Sequence, residues 1–341
     1  MEARIAKILN VIKDYRNDDG IYVSESDIAD WAAQFGDDRD FVLDEFGHIV
    51  SQIYLSKKET VKYLESVLEA MRRLYKYSTV EEMLRETEFL RIQPAGKSQD
   101  VLMGMMEDVV RKQTGQDIAY YNQFDKIHYL YVDDVLATGG TIGKDLKAWL
   151  QIGTNAEDVR NNRKTIIVVL VCSHSFGESI TRYMITRQFN LKMEQVLIGS
   201  FYKIENHLRY HPESQKLNIA IPLPSQSQRV HEYLSKLPET ADKYSEYTFR
   251  PPGFPKKEVF FTSPENRDKY ERIILEKGLD IIDNTQSPGV NLRPLGMVNP
   301  RYHTLGLGTH FFTWRNVPNN CPLVYWWSVP GHQWKPLFPK K

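Results

Sequence analysis

The spacing of hydrophobic residues changes along the chain and predicts two kinds of structure. Up to about residue 84, apolar side chains recur every three or four positions, as in Ser26 to Phe35 and Asp38 to Leu55. That is the period of an amphipathic helix. From about Glu88, apolar runs of strand length alternate with amphipathic helical stretches. This alternation predicts an α/β fold, with a parallel sheet covered by helices on both faces.

Four segments of the second region carry the strand pattern. They are "FLRIQ" from Phe89, "DKIHYLYV" from Asp125, "KTIIVVLVCS" from Lys164 and "EQVLIGSFY" from Glu194. A loop and a helical pattern follow each of the first three. Ligands of such folds bind at the carboxyl ends of the strands, so we expect functional residues in the loops that follow the strands.

The composition shifts again beyond Pro238, where Pro, Gly and aromatic residues become frequent. We therefore predict three parts: a helical subdomain at 1–84, the α/β core at 85–240, and an aromatic, turn-rich extension at 241–341 that packs on the core. The tail aromatics could stack on unpaired nucleic-acid bases, but such residues more often close a core or bind protein, which is the interpretation we favour. They are Phe311, Phe312, Trp314, Tyr325, Trp326, Trp327 and Trp334.

Composition and charge narrow the function classes. The 341 residues carry 44 Lys and Arg against 44 Asp and Glu, so the balance gives no sign of an extensive nucleic-acid surface, although a local basic patch stays open. Cys172 and Cys321 are too few for a disulfide framework and fit a reducing cytosol. The N-terminal residues lack the pattern of a signal peptide, and no apolar run reaches the roughly 18 residues that span a bilayer. We expect a soluble cytoplasmic protein that does not bind membranes.

The histidines do not form a recognisable metal motif. His207 and His211 are four residues apart, but Leu208 occupies the position where the H-E-x-x-H zinc motif requires glutamate. The other histidines have no metal-ligand spacing. We therefore predict no zinc site.

The most informative stretch is "YLYVDDVLATGGTIG", from Tyr129 to Gly143. Asp133 and Asp134 follow the apolar run, and their ionised carboxylates suit vicinal hydroxyls, a divalent cation or both. In the turn that follows, Gly139 and Gly140 let the backbone approach a ligand closely. Their N–H groups and the flanking threonine hydroxyls precede a helix N-terminus, which favours phosphate. Recognition of a diol beside a phosphate describes a ribose 5-phosphate.

This stretch resembles the phosphoribosyl-pyrophosphate (PRPP) motif of type I phosphoribosyltransferases, in which a hydrophobic strand, two acidic residues and two hydrophobic residues precede x-T-G-G-T. The resemblance implies a phosphoribosyltransferase-like (PRTase-like) Rossmannoid core. It implies that Asp133 and Asp134 bind the ribose 2- and 3-hydroxyls and, with the ligand phosphates, Mg²⁺. It also implies a 5-phosphate loop made of Ala137, Thr138, Gly139, Gly140 and Thr141. Two alternatives stay open: a solvated strand end before an ordinary turn, or a Walker B strand.

A second loop, "QPAGKSQD", also follows a predicted strand and opens a helix. In the resembled family a loop at this place binds pyrophosphate, which makes Gly96, Lys97 and Ser98 candidates. The end of a Walker A loop is a rival interpretation, but that motif requires glycine where this chain has Arg91. A simple solvated loop is the other alternative.

One departure from the family leaves catalysis open. Active phosphoribosyltransferases carry extra strands and a long flexible loop between these two motifs, and such a lid excludes water from the reacting sugar. From Ser98 to Asp133 this chain has room for one helix, the segment "DIAYYNQ" and the motif strand. Three hypotheses follow: a Mg²⁺-dependent phosphoribosyltransferase, a non-catalytic module that holds a nucleotide or the 5-phosphate end of DNA or RNA, or a structural protein whose inherited motif has no ligand.

The whole layout resembles a particular branch, the PRTase-like proteins of bacterial conflict (anti-phage defence) systems, including retron operons. The likeness rests on the helical N-terminal region, on the "GKS" loop with an intact D-D-x-x-x-T-G-G-T loop, and on a "P-N-N-x-P" segment from Pro318 to Pro322. It implies defence-system proteins as partners and, more weakly, retron-type DNA or RNA.

Overall fold

A computed structural model of the chain describes residues 1–206, 217–224, 227–238, 245–329 and 331–340. The helices are α1 (Glu2–Ile12), α2 (Glu25–Ala33), α3 (Arg39–Ile53), α4 (Lys57–Leu74), α5 (Val80–Arg85), α6 (Ser98–Thr114), α7 (Ile118–Tyr121), α8 (Gly140–Leu150), α9 (Asn155–Arg160), α10 (Ser175–Phe189), α11 (Gln228–Ser235), α12 (Pro264–Asp283) and α13 (Leu323–Trp326). The strands are β1 (Tyr54–Leu55), β2 (Thr87–Phe89), β3 (His128–Leu136), β4 (Thr165–His174), β5 (Val196–Ile204) and β6 (Phe312–Thr313).

Contacts between residues divide the chain into two compact units. The first comprises Met1–Lys57 together with Ile204–Lys341, and the second comprises Lys58–Lys203. The division of the chain at 84 and 240 that the sequence predicts concerns domains, and a compact unit of contacts is not the same as a part that folds alone. Those boundaries therefore stay a prediction.

The Lys58–Lys203 unit contains a four-stranded sheet in the order β2-β3-β4-β5, in which β3 runs parallel to β2 and to β4. The central strand β4 is buried along almost its whole length, which explains its unbroken apolar sequence. Ile166, Val168 and Leu170 pack with residues of α8 and α10, while the Tyr63 hydroxyl of α4 donates a 2.8 Å hydrogen bond to the Leu170 carbonyl. The predicted α/β fold, with a parallel sheet flanked by helices, is confirmed.

The strand boundaries differ from the predicted segments at the two loops of interest. β2 ends at Phe89, and one further bond, 2.8 Å from the Leu90 N–H to the Leu130 carbonyl, extends its pairing. Beyond it the side-chain oxygen of Gln99 accepts the N–H groups of residues 92 and 93, which turns the backbone away from the sheet. β3 instead continues through both aspartates to Leu136, because β4 pairs with it up to Ser173.

In the other unit, the N-terminal helices and the C-terminal segment share one core. β1 pairs in parallel with β6. The indole N–H of Trp31 donates a 2.8 Å bond to the Val324 carbonyl, and Phe46 lies 5.3 Å from the ring of Tyr325. The C-terminal aromatic residues therefore close a core, which agrees with the interpretation favoured from the sequence. Those buried are Phe311, Phe312, Trp314, Tyr325, Trp326 and Trp327, whereas Trp334 is half-buried.

Helix α12 begins at a side-chain cap and carries a buried charge cluster. The Ser263 hydroxyl accepts the Asn266 N–H at 3.1 Å, which caps the helix. Further along, the Arg267 guanidinium pairs with the carboxylates of Glu258 and Glu271, and Arg250 pairs with Glu271 from a second side. Because every charge in the cluster has a partner, we assign it a structural role.

Two further observations complete the fold. Cys172 and Cys321, both among the described residues, are buried and do not form a disulfide. Among the described residues, none of the helices combines the length and the apolar character that crossing a bilayer requires.

Candidate functional site

The two loops singled out by the sequence follow neighbouring parallel strands, so they meet at one edge of the sheet. The first loop leads from β2 into α6, and the second leads from β3 into α8. A direct bond joins them: the hydroxyl of Ser98, the first residue of α6, donates to Asp133 at 2.7 Å. The pyrophosphate-loop candidate and the ribose candidate are therefore in contact.

Asp133 lies at the centre of a hydrogen-bond network. One carboxylate oxygen accepts from Ser98 and from the N–H of Asp134 at 2.8 Å. The other accepts from the Gln93 side-chain amide at 2.6 Å and lies 3.2 Å from the Tyr131 hydroxyl. The side chain is only 3% exposed. The protein's own donors thus cover Asp133, whereas Asp134 is half-exposed.

Tyr131 links this network to helix α8. Its hydroxyl accepts the Gln93 amide at 2.7 Å and lies 2.7 Å from the Asp145 carboxylate. A hydroxyl has one proton to donate, and the shorter contact assigns it to Asp145. Burial, and then the neighbouring charge of Asp133, raise the pKa of Tyr131 far above its usual value. Tyr131 therefore stays a protonated, fixed donor at neutral pH.

The TGGT turn begins helix α8. Gly139 has φ +78° and caps the helix, whose first turn contains no acidic residue. Gly140 and Thr141 are exposed, and Ala137 and Thr138 are half-exposed. The first N–H groups of a helix have no acceptor within it, and the helix dipole adds partial positive charge there. The turn therefore places helix N-terminal N–H groups on residues that are exposed or half-exposed, an arrangement that suits a phosphate.

Helix α10 packs directly against this turn. A Cβ atom on Gly139 would lie 1.9 Å from the Thr181 hydroxyl, and one on Gly177 would lie 2.1 Å from the Ala137 carbonyl. Both positions therefore require glycine. The Thr181 hydroxyl is fully buried and has no hydrogen-bond partner among the described residues. Close packing on α10 thus fixes the backbone of the turn.

The first loop is less open to a ligand. Gly96 has φ +80°, and its N–H donates to the Asp100 carboxylate at 2.9 Å. The N–H of Lys97 faces the Pro94 carbonyl at 3.4 Å, and the Lys97 residue is exposed. Two of the donors expected to bind pyrophosphate are thus engaged within the loop. The Lys97 ammonium is the group of this loop best placed to meet a diphosphate.

The carboxylates of Asp133 and Asp134 supply only part of the ligands that a Mg²⁺ ion requires. The described residues contain no group of three or more His, Cys, Asp or Glu that could hold a metal. One oxygen of Asp134 accepts the Val135 N–H at 2.7 Å. A Mg²⁺ ion is commonly bound by one or two carboxylates and the phosphates of its substrate. The pair fits an ion that arrives with a ligand, and it does not form a metal cage.

His207 and His211, the histidine pair considered for a zinc motif, lie outside the described residues.

The segment between the two loops is fully described and contains little beyond helices. From Ser98 to Asp133 it consists of α6, α7, their connections and the first part of β3, with no additional strand in this range. The extra strands of active phosphoribosyltransferases are therefore missing from this part of the chain.

Sequence reasoning missed the residues that surround the site without belonging to a motif. Tyr131 had a usable signal, because it lies two residues before Asp133 and thus on the same face of the strand. Gln93, Asp145 and Thr181 had none, since each reaches the site through the folding of another element. His174, the last residue of β4, is fully buried, which lowers its pKa to about 3.

Comparison with known proteins assigns the chain to a family. A family model described as PRTase-CE matches residues 28–340. The match covers almost the whole chain, so the chain belongs to the PRTase-CE family, and the predicted membership of the PRTase-like superfamily is confirmed. Searches of curated proteins and of solved structures found no match.

Proposed function

We propose that the chain binds a ribose 5-phosphate ligand, either PRPP or a nucleotide, at the carboxyl ends of β2 and β3. The observation that carries the proposal is the TGGT turn at the start of α8, placed directly after Asp133 and Asp134 on β3. Its exposed donors suit the 5-phosphate, and the carboxylates before it suit the ribose hydroxyls. Family membership supports the same ligand class.

Each acidic residue takes a different part in this proposal. The half-exposed Asp134 meets a ribose hydroxyl first. Asp133 joins when a ribose hydroxyl replaces Ser98 or Gln93 as its donor, since both side chains occupy its oxygens in this structure. Asp133 and Asp134, together with the ligand phosphates, would hold a Mg²⁺ ion, which would offset the phosphate charge. Lys97 adds a positive charge near a pyrophosphate group.

Calorimetric titration of PRPP with Mg²⁺ tests the proposal. We expect micromolar binding by the wild type and its loss in Asp133→Asn/Asp134→Asn. The matched control is Asp108→Asn/Asp117→Asn, which removes the same charge from exposed side chains of the same unit. Equal binding by all three proteins would place the ligand elsewhere. No binding of PRPP or of nucleoside monophosphates by the wild type would refute the proposal.

A second candidate function is holding the ligand without transfer. The segment from Ser98 to Asp133, which has two helices where active relatives of the superfamily have extra strands and a lid, favours it. If no loop of this segment covers the site, water competes with an acceptor at the reacting carbon. Pyrophosphate release from PRPP, measured with nucleobases and with nucleic acid as acceptors, separates the two functions. Turnover abolished in the double aspartate variant supports transfer, and its absence despite binding supports holding.

The ligand of a holding module can also be the end of a nucleic acid, because a 5-phosphorylated terminal nucleotide carries the same phosphate and sugar. Oligonucleotides of one sequence, with and without the 5-phosphate, test this version. Tighter binding of the phosphorylated form, lost in Asp133→Asn/Asp134→Asn, supports it. Equal binding of both forms would count against it.

We also propose a role in bacterial anti-phage defence, together with partner proteins. This proposal rests on the resemblance of the helical N-terminal region and of the Pro318 to Pro322 segment to PRTase-like conflict proteins. Phage plating on bacteria that express the chain with its neighbouring genes tests it. We expect protection that Asp133→Asn/Asp134→Asn abolishes and that the Asp108→Asn/Asp117→Asn control retains.

A further inference from the structure

The unit formed by Met1–Lys57 and Ile204–Lys341 contains a cavity of about 350 Å³ that none of the predicted motifs touches. Its walls come from α11, from the end of α12 and from the segment 288–293. Apolar side chains such as Leu279 and Ile282 line part of it. Its charged lining consists of three cationic side chains, Arg229, Lys236 and Arg293, and two acidic ones, Glu232 and Asp283. This size and mixture of surfaces are typical of a site for a small molecule.

Arg293 is an unusual member of the cavity wall. The residue is 2% exposed, and its Nη1 atom donates 2.9 Å bonds to the carbonyls of Val290 and Leu292. Its Nε and Nη2 atoms are also buried, but they have no hydrogen-bond partner among the described residues. A buried cation with unpaired N–H groups is costly, and burial accordingly lowers the pKa of Arg293.

The two unpaired donors share one edge of the guanidinium group. The Nε–H and Nη2–H bonds point in the same direction and are spaced to meet the two oxygens of a carboxylate or phosphate. Tyr233 also lines the cavity. Its hydroxyl partly offsets the lowering of the Arg293 pKa. The hydroxyl does not, however, meet the geometry of a hydrogen bond with the Nε or Nη2 atom of Arg293. The bond from that hydroxyl to the Leu292 carbonyl is long, at 3.4 Å, and therefore weak.

The backbone holds Arg293 in place before any ligand arrives. The N–H of Gly296 donates to the Arg293 carbonyl at 3.0 Å, and the N–H of Leu323 donates to the Pro294 carbonyl at 3.1 Å. Helix α12 approaches so closely that a Cβ atom on Gly278 would lie 2.6 Å from the Pro294 carbonyl. A fixed, desolvated arginine binds an anion without first losing conformational entropy.

From these features we propose that the cavity binds a small anionic molecule, whose carboxylate or phosphate pairs with the Nε–Nη2 edge of Arg293 and whose apolar part lies against Leu279 and Ile282. Lys236, an exposed residue at the cavity, adds to the attraction. Arg229 contributes less, because Asp280 and Asp283 already pair with it at 2.8 and 2.7 Å. The site is independent of the ribose-phosphate proposal, since it uses none of those residues.

Calorimetry and thermal unfolding of the full chain test the site with two probes, inorganic phosphate and succinate, against chloride at equal ionic strength. We expect at least one probe to bind and to raise Tm. Arg293→Gln should weaken binding by about tenfold or more, because it removes a charge-assisted bidentate pair. Lys236→Ala should weaken it about threefold, and Lys13→Ala, an exposed change outside the cavity, should leave it unchanged.

The relative response to the two probes shows whether the site prefers a phosphate or a carboxylate. The use of two cavity variants keeps the test decisive if one of them does not fold. If Arg293→Gln unfolds, the exposed Lys236→Ala still reports on the cavity. No stabilisation by either probe beyond that of chloride would overturn the proposal. So would equal binding by the wild type, Lys236→Ala and a folded Arg293→Gln.

Discussion

The hydroxyl of Ser98 donates a 2.7 Å hydrogen bond to Asp133, which lies 35 residues further along the chain. It ties the first turn of α6 to the strand that carries the PRPP-like motif. A carboxylate has a limited number of lone pairs, so each donor that the protein supplies competes with a ribose hydroxyl. The donors around Asp133 thus form a closed network, and a ligand that uses Asp133 exchanges donors with it.

Ser98→Ala should lower the free energy of unfolding by about 1–2 kcal/mol, because Asp133 loses a donor to its charged form. Ribose 5-phosphate affinity should stay equal or rise, since one competitor is gone. Urea unfolding and calorimetry measure the two effects. The matched control is Ser66→Ala on α4, whose exposed hydroxyl donates to the Tyr63 carbonyl at 2.7 Å. A large loss of affinity with unchanged stability would instead make Ser98 a direct ligand contact.

Gly139→Ala should destabilise the protein by about 2–4 kcal/mol, because it adds left-handed strain at φ +78° and a clash with Thr181. Gly140→Ala is the matched control. Its Cβ atom would meet only the Thr138 hydroxyl, at 3.9 Å, so its effect should stay within about 0.5 kcal/mol. Equal unfolding midpoints for the two variants would show that α10 does not support the turn.

Arg267→Met should lower the free energy of unfolding by about 3–5 kcal/mol, since it leaves the buried carboxylates of Glu258 and Glu271 without their main partner. Arg272→Met, on the same helix, removes an exposed cation 3.9 Å from Glu276 and should cost less than about 0.5 kcal/mol. Denaturant titration of both variants checks the difference. A similar small loss in both would show that the cluster contributes little.

Acid should destabilise the fold through His310. Its ring is fully buried and bonds the Gly308 carbonyl and the Tyr325 hydroxyl, and burial lowers its pKa to about 4. The positive charge of Arg267 acts in the same direction. Above pH 6.5 the ring is neutral in both folded and unfolded chains. Between pH 6.5 and 4 only the unfolded chain binds this proton, so the contribution of His310 to stability falls, by about 2 kcal/mol at pH 5.

Unfolding in urea at pH 7.5, 6.5 and 5 measures this dependence. His310→Gln should reduce the fall, whatever its stability at pH 7.5, whereas His231→Gln at an exposed position should not. The buried His174, whose pKa is lowered to about 3, adds a parallel fall that both variants retain. An unchanged pH dependence in His310→Gln would contradict the assignment.

Local sequence information was sufficient for the helices, for the central strand and for the PRPP-like motif. These features depend on residues close together in the chain: an apolar period, a cap such as Ser263 before Asn266, or a turn that requires glycine. The fold class followed from the alternation of strand and helix patterns. The edge of the sheet at which the motif lies followed from the general rule for parallel sheets.

Only the tertiary structure decided which of the protein's own groups bond to the motif and what the C-terminal aromatic residues pack against. Gln93 and Ser98 cover Asp133 because the loop after β2 folds across the end of β3, a contact that no periodicity encodes. The tail aromatics gain their core from Trp31 and Phe46, nearly 300 residues earlier in the chain. Likewise, the unpaired edge of Arg293 is visible only once burial and partners are known. Composition and spacing specify what each segment can form, whereas contacts between distant segments specify which groups stay free to act.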